Sequence, residues 1–135
     1  MSFIKIALLY VITLVIFLGI DFLWLAVISK NFYREHLGNL LKDSFNLAPA
    51  LIFYFIYIVG LMVFVIIPAI DADSLLRAAG LGVLFGLVAY ATYDLSNLAT
   101  LKGWPMTVVV ADLLWGMFIS GIVSVAGFMA GRAIS

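Results

Sequence analysis

The chain has 135 residues, 67% of them hydrophobic and 10% charged, with a mean hydropathy of +1.28, well beyond the roughly half-apolar make-up of soluble domains. Seven basic residues balance seven acidic ones, which leaves no cationic surface for nucleic acid. With no cysteine there is no disulfide framework, thiolate metal site or cysteine nucleophile. What remains is an all-α, polytopic membrane protein whose surrounding partners are membrane lipids.

Four apolar stretches follow one another at about 4–28, 47–67, 75–98 and 105–130. Each is long enough to cross roughly 30 Å of hydrocarbon at about 1.5 Å per residue. Together they use up the chain, so the expectation is one transmembrane domain over 1–135, a four-helix bundle. The first stretch is too long for a signal-peptide core, carries Asp21, and runs into Ser29, Lys30 and Asn31 rather than a small-residue cleavage site; it is expected to be a retained helix. Pro49 and Pro105 fall in the first turns of the second and fourth spans, where a missing N–H costs little, and Pro68 is expected to stop the second. Runs of this length lack the alternation of a lipid-facing strand.

Between the first two spans, Tyr33, Leu37, Leu40 and Leu41 recur at helical spacing, while Arg34, Glu35, Lys42 and Asp43 take other faces. This predicts a short amphipathic helix at the membrane interface. The other connections are brief turns. Gly82 with Gly86, and Gly127 with Gly131, have the small-xxx-small spacing that lets helix backbones approach closely in lipid. Packing inside one bundle is the expected use, although a homo-oligomer stays open.

We call the side on which the first span begins the near face and the opposite side the far face. The near face holds Lys5, Arg77 and Arg132; the far face holds Lys30, Arg34, Lys42 and Lys102. The positive-inside rule therefore favours a cytoplasmic far face and external termini. The margin is a single residue, so antiparallel copies stay open as well.

Three carboxylates interrupt the spans: Asp21, Asp94 and Asp112. Each costs at least about 2.5 kcal/mol in hydrocarbon and needs a partner, a proton or a water-filled cavity. Asp21 lies nine residues before Lys30, Asp94 eight before Lys102, and Asp112 seven after Pro105. All three should sit roughly 10 to 14 Å inside the far boundary. No Lys or Arg lies at that depth to compensate them.

Other polar groups share that half. Tyr90, Tyr93, Asp94 and Asn97 follow helical spacing along one face of the third span, and Asn46, Tyr54 and Tyr57 along one face of the second, with Asn46 placed to cap it. Trp24 lies one turn from Asp21 and Trp115 one turn from Asp112. Because the first and fourth spans run antiparallel, Trp24 is expected nearer the far face and Trp115 deeper. The set predicts a polar, aromatic-lined pocket open to the far face, with these residues binding a ligand or a proton. Serine-nucleophile motifs and phosphate loops are absent, so no catalytic residue and no cofactor is called for. His36 is the only histidine, which removes a histidine-rich zinc site; a carboxylate-only site for Mg²⁺ or Ca²⁺ is the one metal option left, and it is not the favoured reading.

Asp21-x-x-Trp24, the segment from Asn46 to Tyr57, Tyr90-x-x-Tyr-Asp-Leu-Ser-Asn97 followed by Trp104-Pro105, and Asp112-x-x-Trp-Gly116 together resemble the domain-of-unknown-function 2177 family of small bacterial membrane proteins. The resemblance covers nearly the whole chain. Ser96 stands where the family pattern more often has threonine. The likeness implies four helices and a bacterial inner-membrane location, and it brings no reaction or ligand with it. From the residues themselves, the leading reading is transport of a proton, a cation or a small polar or cationic solute. A membrane-embedded enzyme acting on a lipid or isoprenoid-like substrate is the alternative, and a structural or accessory subunit the third.

Overall fold

In a computed structural model that describes residues 1–42 and 46–135, four long helices have the length and apolarity of membrane spans. They are α1 (Phe3–Ile28), α3 (Leu47–Asp71), α4 (Leu75–Thr100) and α5 (Met106–Ile134). A short α2 (Phe32–Leu37), continued by a 3₁₀ turn over Gly38–Leu40, stands between the first two spans, as its amphipathic spacing predicts. Asp43, part of that expected polar face, lies outside the described residues.

Short polar side chains start three of the four spans. Ser2 accepts from the Lys5 N–H at 3.3 Å, Asn46 from Ala48 at 3.2 Å, and Ser74 from Arg77 at 3.1 Å, each satisfying one orphan donor of a first turn. Pro105 immediately precedes α5 and needs no such donor. Gly38 (φ 51°) follows α2 and Gly103 (φ 73°) turns the chain into α5, both in the left-handed region that glycine enters without steric cost.

Pro68 does not stop the second span, contrary to the sequence expectation. A π turn over Met62–Ile66 precedes it, with the Ile67 N–H bonding back to the Met62 carbonyl, and the helix continues to Asp71. The wider π turn shifts the bonding register, so the proline ring meets neither a tight preceding turn nor a demand for its missing N–H. A second π turn, Trp24–Ile28, ends α1, where the Ser29 N–H and hydroxyl both donate to the Trp24 carbonyl at 2.8 Å.

The near half of the bundle holds the buried core, with a smaller cavity of about 480 Å³ at its outer end beside Lys5, Ile6, Ile67 and Ile70. Leu9, Phe17, Ile58, Leu61, Met62, Val65, Ile66, Ile119 and Val123 form one buried cluster. The closest pairing is α4 against α5, and the glycines explain it. A methyl group on Gly86 would strike the backbone carbonyl of Gly116, one on Gly82 would lie 2.6 Å from the Ser124 hydroxyl, and one on Gly116 would enter the Tyr90 ring. Gly127 and Gly131 pack against Ile66 and Ile70 of α3. Both small-residue steps are thus used inside the chain's own bundle, as expected. Among the described residues the one ion pair is Arg132 with Asp73 at 3.2 Å, on the near face and well exposed, where such pairs contribute little.

This packing fixes a contrast between glycines. Gly86→Ala should lower the unfolding free energy by about 1 to 3 kcal/mol through forced separation of α4 and α5. Gly80→Ala, whose added methyl meets nothing within 4 Å, should be neutral or stabilising by up to about 1 kcal/mol. Reversible unfolding in mixed micelles measures both, and equal effects would contradict the close approach.

Candidate functional site

Above the packed half the bundle opens into a cavity of about 770 Å³ on the far side. Asp21, Trp24 and Ser29 of α1 and its end, Ala50, Phe53 and Tyr54 of α3, Ala89, Tyr90 and Tyr93 of α4, and Trp104, Val108, Asp112 and Trp115 around α5 form its wall. Lys30, Tyr33, Arg34 and Leu37 bring the end of α1 and α2 over its mouth. Leu25 and Phe53, also in the wall, are 47% and 46% exposed, so the cavity also reaches the lipid-facing surface between helices.

The aromatic groups form a connected lining. Trp24 and Trp115 stack with centroids 4.4 Å apart and planes 11° from parallel. The expected difference in their depth is therefore not seen. Helix side chains lean towards their own helix N-terminus; in antiparallel α1 and α5 this carries Trp24 inward and Trp115 outward until the rings meet. Tyr33 lies edge-on to Trp24, and Tyr93 edge-on to Trp104.

The acids find partners across the bundle rather than one turn along their own helices. Tyr54 donates to one oxygen of Asp21 at 2.8 Å, and the Trp115 N–H to the other at 3.3 Å. Trp24 donates to the Tyr33 hydroxyl at 3.2 Å, and Tyr33 in turn donates to Asp112. Burial raises the Tyr33 phenol above its ordinary pKa, and the hydrogen bond to Asp112 raises it further, so Tyr33 stays a donor throughout the physiological range. Asp94, fully buried behind the cavity wall, lies beside the carboxyl of Asp112. No N–H or O–H among the described residues makes a hydrogen bond to either of its oxygens, and the neighbouring Trp104 N–H is also unbonded.

The expected residues thus divide. Asp21, Asp112, Trp24, Trp115, Tyr54, Tyr90 and Tyr93 line one cavity. Asp94 joins it only through Asp112. Tyr57 lies deeper, packed on Phe17 with centroids 4.9 Å apart and hydrogen-bonded to Ser120, so it belongs to the floor. Asn46 is an exposed helix cap, and Asn97, half-buried one turn beyond Tyr93, does not reach the wall. Sequence reasoning passed over Tyr33, counted as part of the apolar stripe of α2. Tyr33 and Leu37 of that stripe, with Phe32, pack against Trp104, Val108 and Val109 of the bundle. A hydroxyl at the head of an otherwise apolar stripe was the available signal. Lys30 and Arg34 also reach the cavity, and neither is paired with a carboxylate among the described residues. His36 contacts the Phe32 carbonyl at 2.9 Å, away from the wall. No cluster of three metal-binding side chains occurs among the described residues.

Comparison with protein families gives a match to the model of DUF2177, described as a predicted membrane protein, over residues 6–129. The chain belongs to this family. The DUF2177 match reaches into all four spans and includes every residue of the cavity wall. No curated protein and no solved structure matches the chain.

The absence of cysteine makes accessibility easy to test. In an otherwise unchanged chain, Ala50→Cys and Ala89→Cys in the wall should react with small water-soluble thiosulfonates at least about tenfold faster than Ala69→Cys in the packed near half. Equal rates would mean that the cavity is closed to water.

Proposed function

We propose that this protein binds an organic cation with an apolar body in the far-side cavity and carries it across the inner membrane of a bacterium. The observation behind this reading is the pairing of two wall carboxylates, Asp21 and Asp112, with the stacked Trp24–Trp115 lining. Aromatic faces attract cations through their quadrupole by about 0.5 to 2 kcal/mol, most strongly when desolvated. A carboxylate adds charge selectivity that a purely aromatic box lacks. The donors on Asp21 and Asp112 support the ionised forms and fix their direction.

The buried core around Phe17, Ile58, Leu61 and Ile119 lies beneath the chamber, so passage calls for a second conformation or a second copy rather than a continuous pore. An accessory subunit would call for a paired, closed acid cluster; the cavity and the unbonded Asp94 favour a ligand site instead. One observation favours the enzyme reading: the lateral opening at Leu25 and Phe53 suits a substrate that arrives through the lipid. The stacked tryptophans beside two hydrogen-bonded carboxyl groups suit holding a cation, which makes binding and carriage the better supported use. The far face carries four of the seven basic residues, which supports a cytoplasmic mouth.

Purified protein in liposomes should take up benzyltrimethylammonium several-fold faster than protein-free liposomes. Asp112→Asn should reduce that rate by about tenfold or more, equivalent to losing one charge-assisted contact of about 1.4 kcal/mol. Uptake equal to empty liposomes for the wild type would overturn the transport reading.

A further inference from the structure

We propose that Asp94 and Asp112 share a single proton, and that a cation entering the cavity displaces it, so that solute binding and proton release are one exchange. The proposal rests on the cation-binding reading of the cavity and assigns it a coupling ion.

The Asp94 side chain is fully buried, neither of its oxygens is hydrogen-bonded by a described donor, and the group beside it is another carboxyl. Two carboxyls in contact away from water cannot both ionise; one proton between them turns repulsion into a hydrogen bond. The titratable groups facing the Asp94–Asp112 pair are Tyr33 from α2 and Tyr90 and Tyr93 from α4. No Lys, Arg or His is among them to compensate a second negative charge. Asp21 differs: it has two donors and, among the described residues, no carboxyl neighbour, so it stays outside the exchange.

The pair is also placed for exchange. Asp112 faces the cavity and Asp94 does not, so the solute meets Asp112 while the proton is stored behind it. With the chamber empty the pair carries one negative charge. When a monovalent cation binds, the shared O–H bond breaks, the proton leaves through Asp112 into cavity water, and the pair becomes doubly negative. One positive charge has replaced another, and the net charge of the site is unchanged. The vacant Trp104 N–H next to Asp94 is then available to the newly ionised carboxylate. A divalent metal would need six or more oxygen ligands, which these groups do not assemble.

Calorimetric titration of the wild-type protein with benzyltrimethylammonium, in buffers of different ionisation enthalpy, counts the protons released. The expected count approaches one per cation bound, and affinity should rise with pH by up to about tenfold per unit. Asp94→Asn should still bind with little proton release and a flat pH profile, and Asp94→Glu should restore both. Wild-type binding without proton release overturns the exchange and leaves the cation-binding reading standing. Proton release that persists unchanged in Asp94→Asn overturns the role of Asp94. Absence of wild-type binding overturns the cation-binding reading and the exchange with it. The wild-type count requires no variant to fold.

Discussion

The cost of holding carboxylates in hydrocarbon organises this molecule. Each of Asp21, Asp94 and Asp112 carries an insertion cost of at least about 2.5 kcal/mol, and a hydrogen bond to a charged group returns about 1.5 to 3 kcal/mol. Asp21 receives two such bonds, Asp112 receives one, and Asp94 receives none among the described residues. By that measure Asp21 is the best compensated of the three, Asp112 the next, and Asp94 the least. The same bonds tie the helices together: Tyr54 and Trp115 join α3 and α5 to α1, and Tyr33 joins α2 to α5. Ligand chemistry and helix packing therefore depend on the same side chains.

The contact between Asp94 and Asp112 depends in turn on glycines one to two turns away. Gly86 against Gly116, with the Tyr90 ring over Gly116, draws the α4 and α5 backbones closer than any residue with a Cβ would allow. In these antiparallel helices, side chains lean towards opposite membrane faces, so Asp94 reaches inward and Asp112 outward until they meet. The stacking of Trp24 on Trp115 follows the same rule. The packed near half backs this arrangement with a floor in which Tyr57 bonds Ser120 and contacts Phe17.

Much of this was legible in the residues. Apolar run length located the four spans, with Asn46, Pro49 and Pro105 marking two of their starts, because in lipid the backbone must bond within its own helix. Residue counts from Lys30, Lys102 and Pro105 located the acid-bearing half. Helical periodicity correctly placed Tyr54, Tyr90 and Tyr93 on inward faces, but it cannot tell how far along the bundle axis a side chain reaches. Asn46, Asn97 and Tyr57 share faces with cavity residues and still miss the wall for that reason. The partner of each acid was hidden as well, since Asp21–Trp115 and Asp112–Tyr33 lie 94 and 79 residues apart and depend on helix arrangement rather than spacing. Pro68 misled because the π turn that accommodates it has no clear sequence mark.

The central claim is that charge, beyond shape or apolarity, selects what occupies the cavity. Its most direct test is the affinity of the purified protein for a benzylic trimethylammonium ligand against its neutral carbon isostere. The cation should bind about tenfold or more tightly, a difference of about 1.4 kcal/mol, and replacing Asp21 and Asp112 together by asparagine should remove the preference. Equal affinity of the wild-type protein for the two ligands would contradict the account.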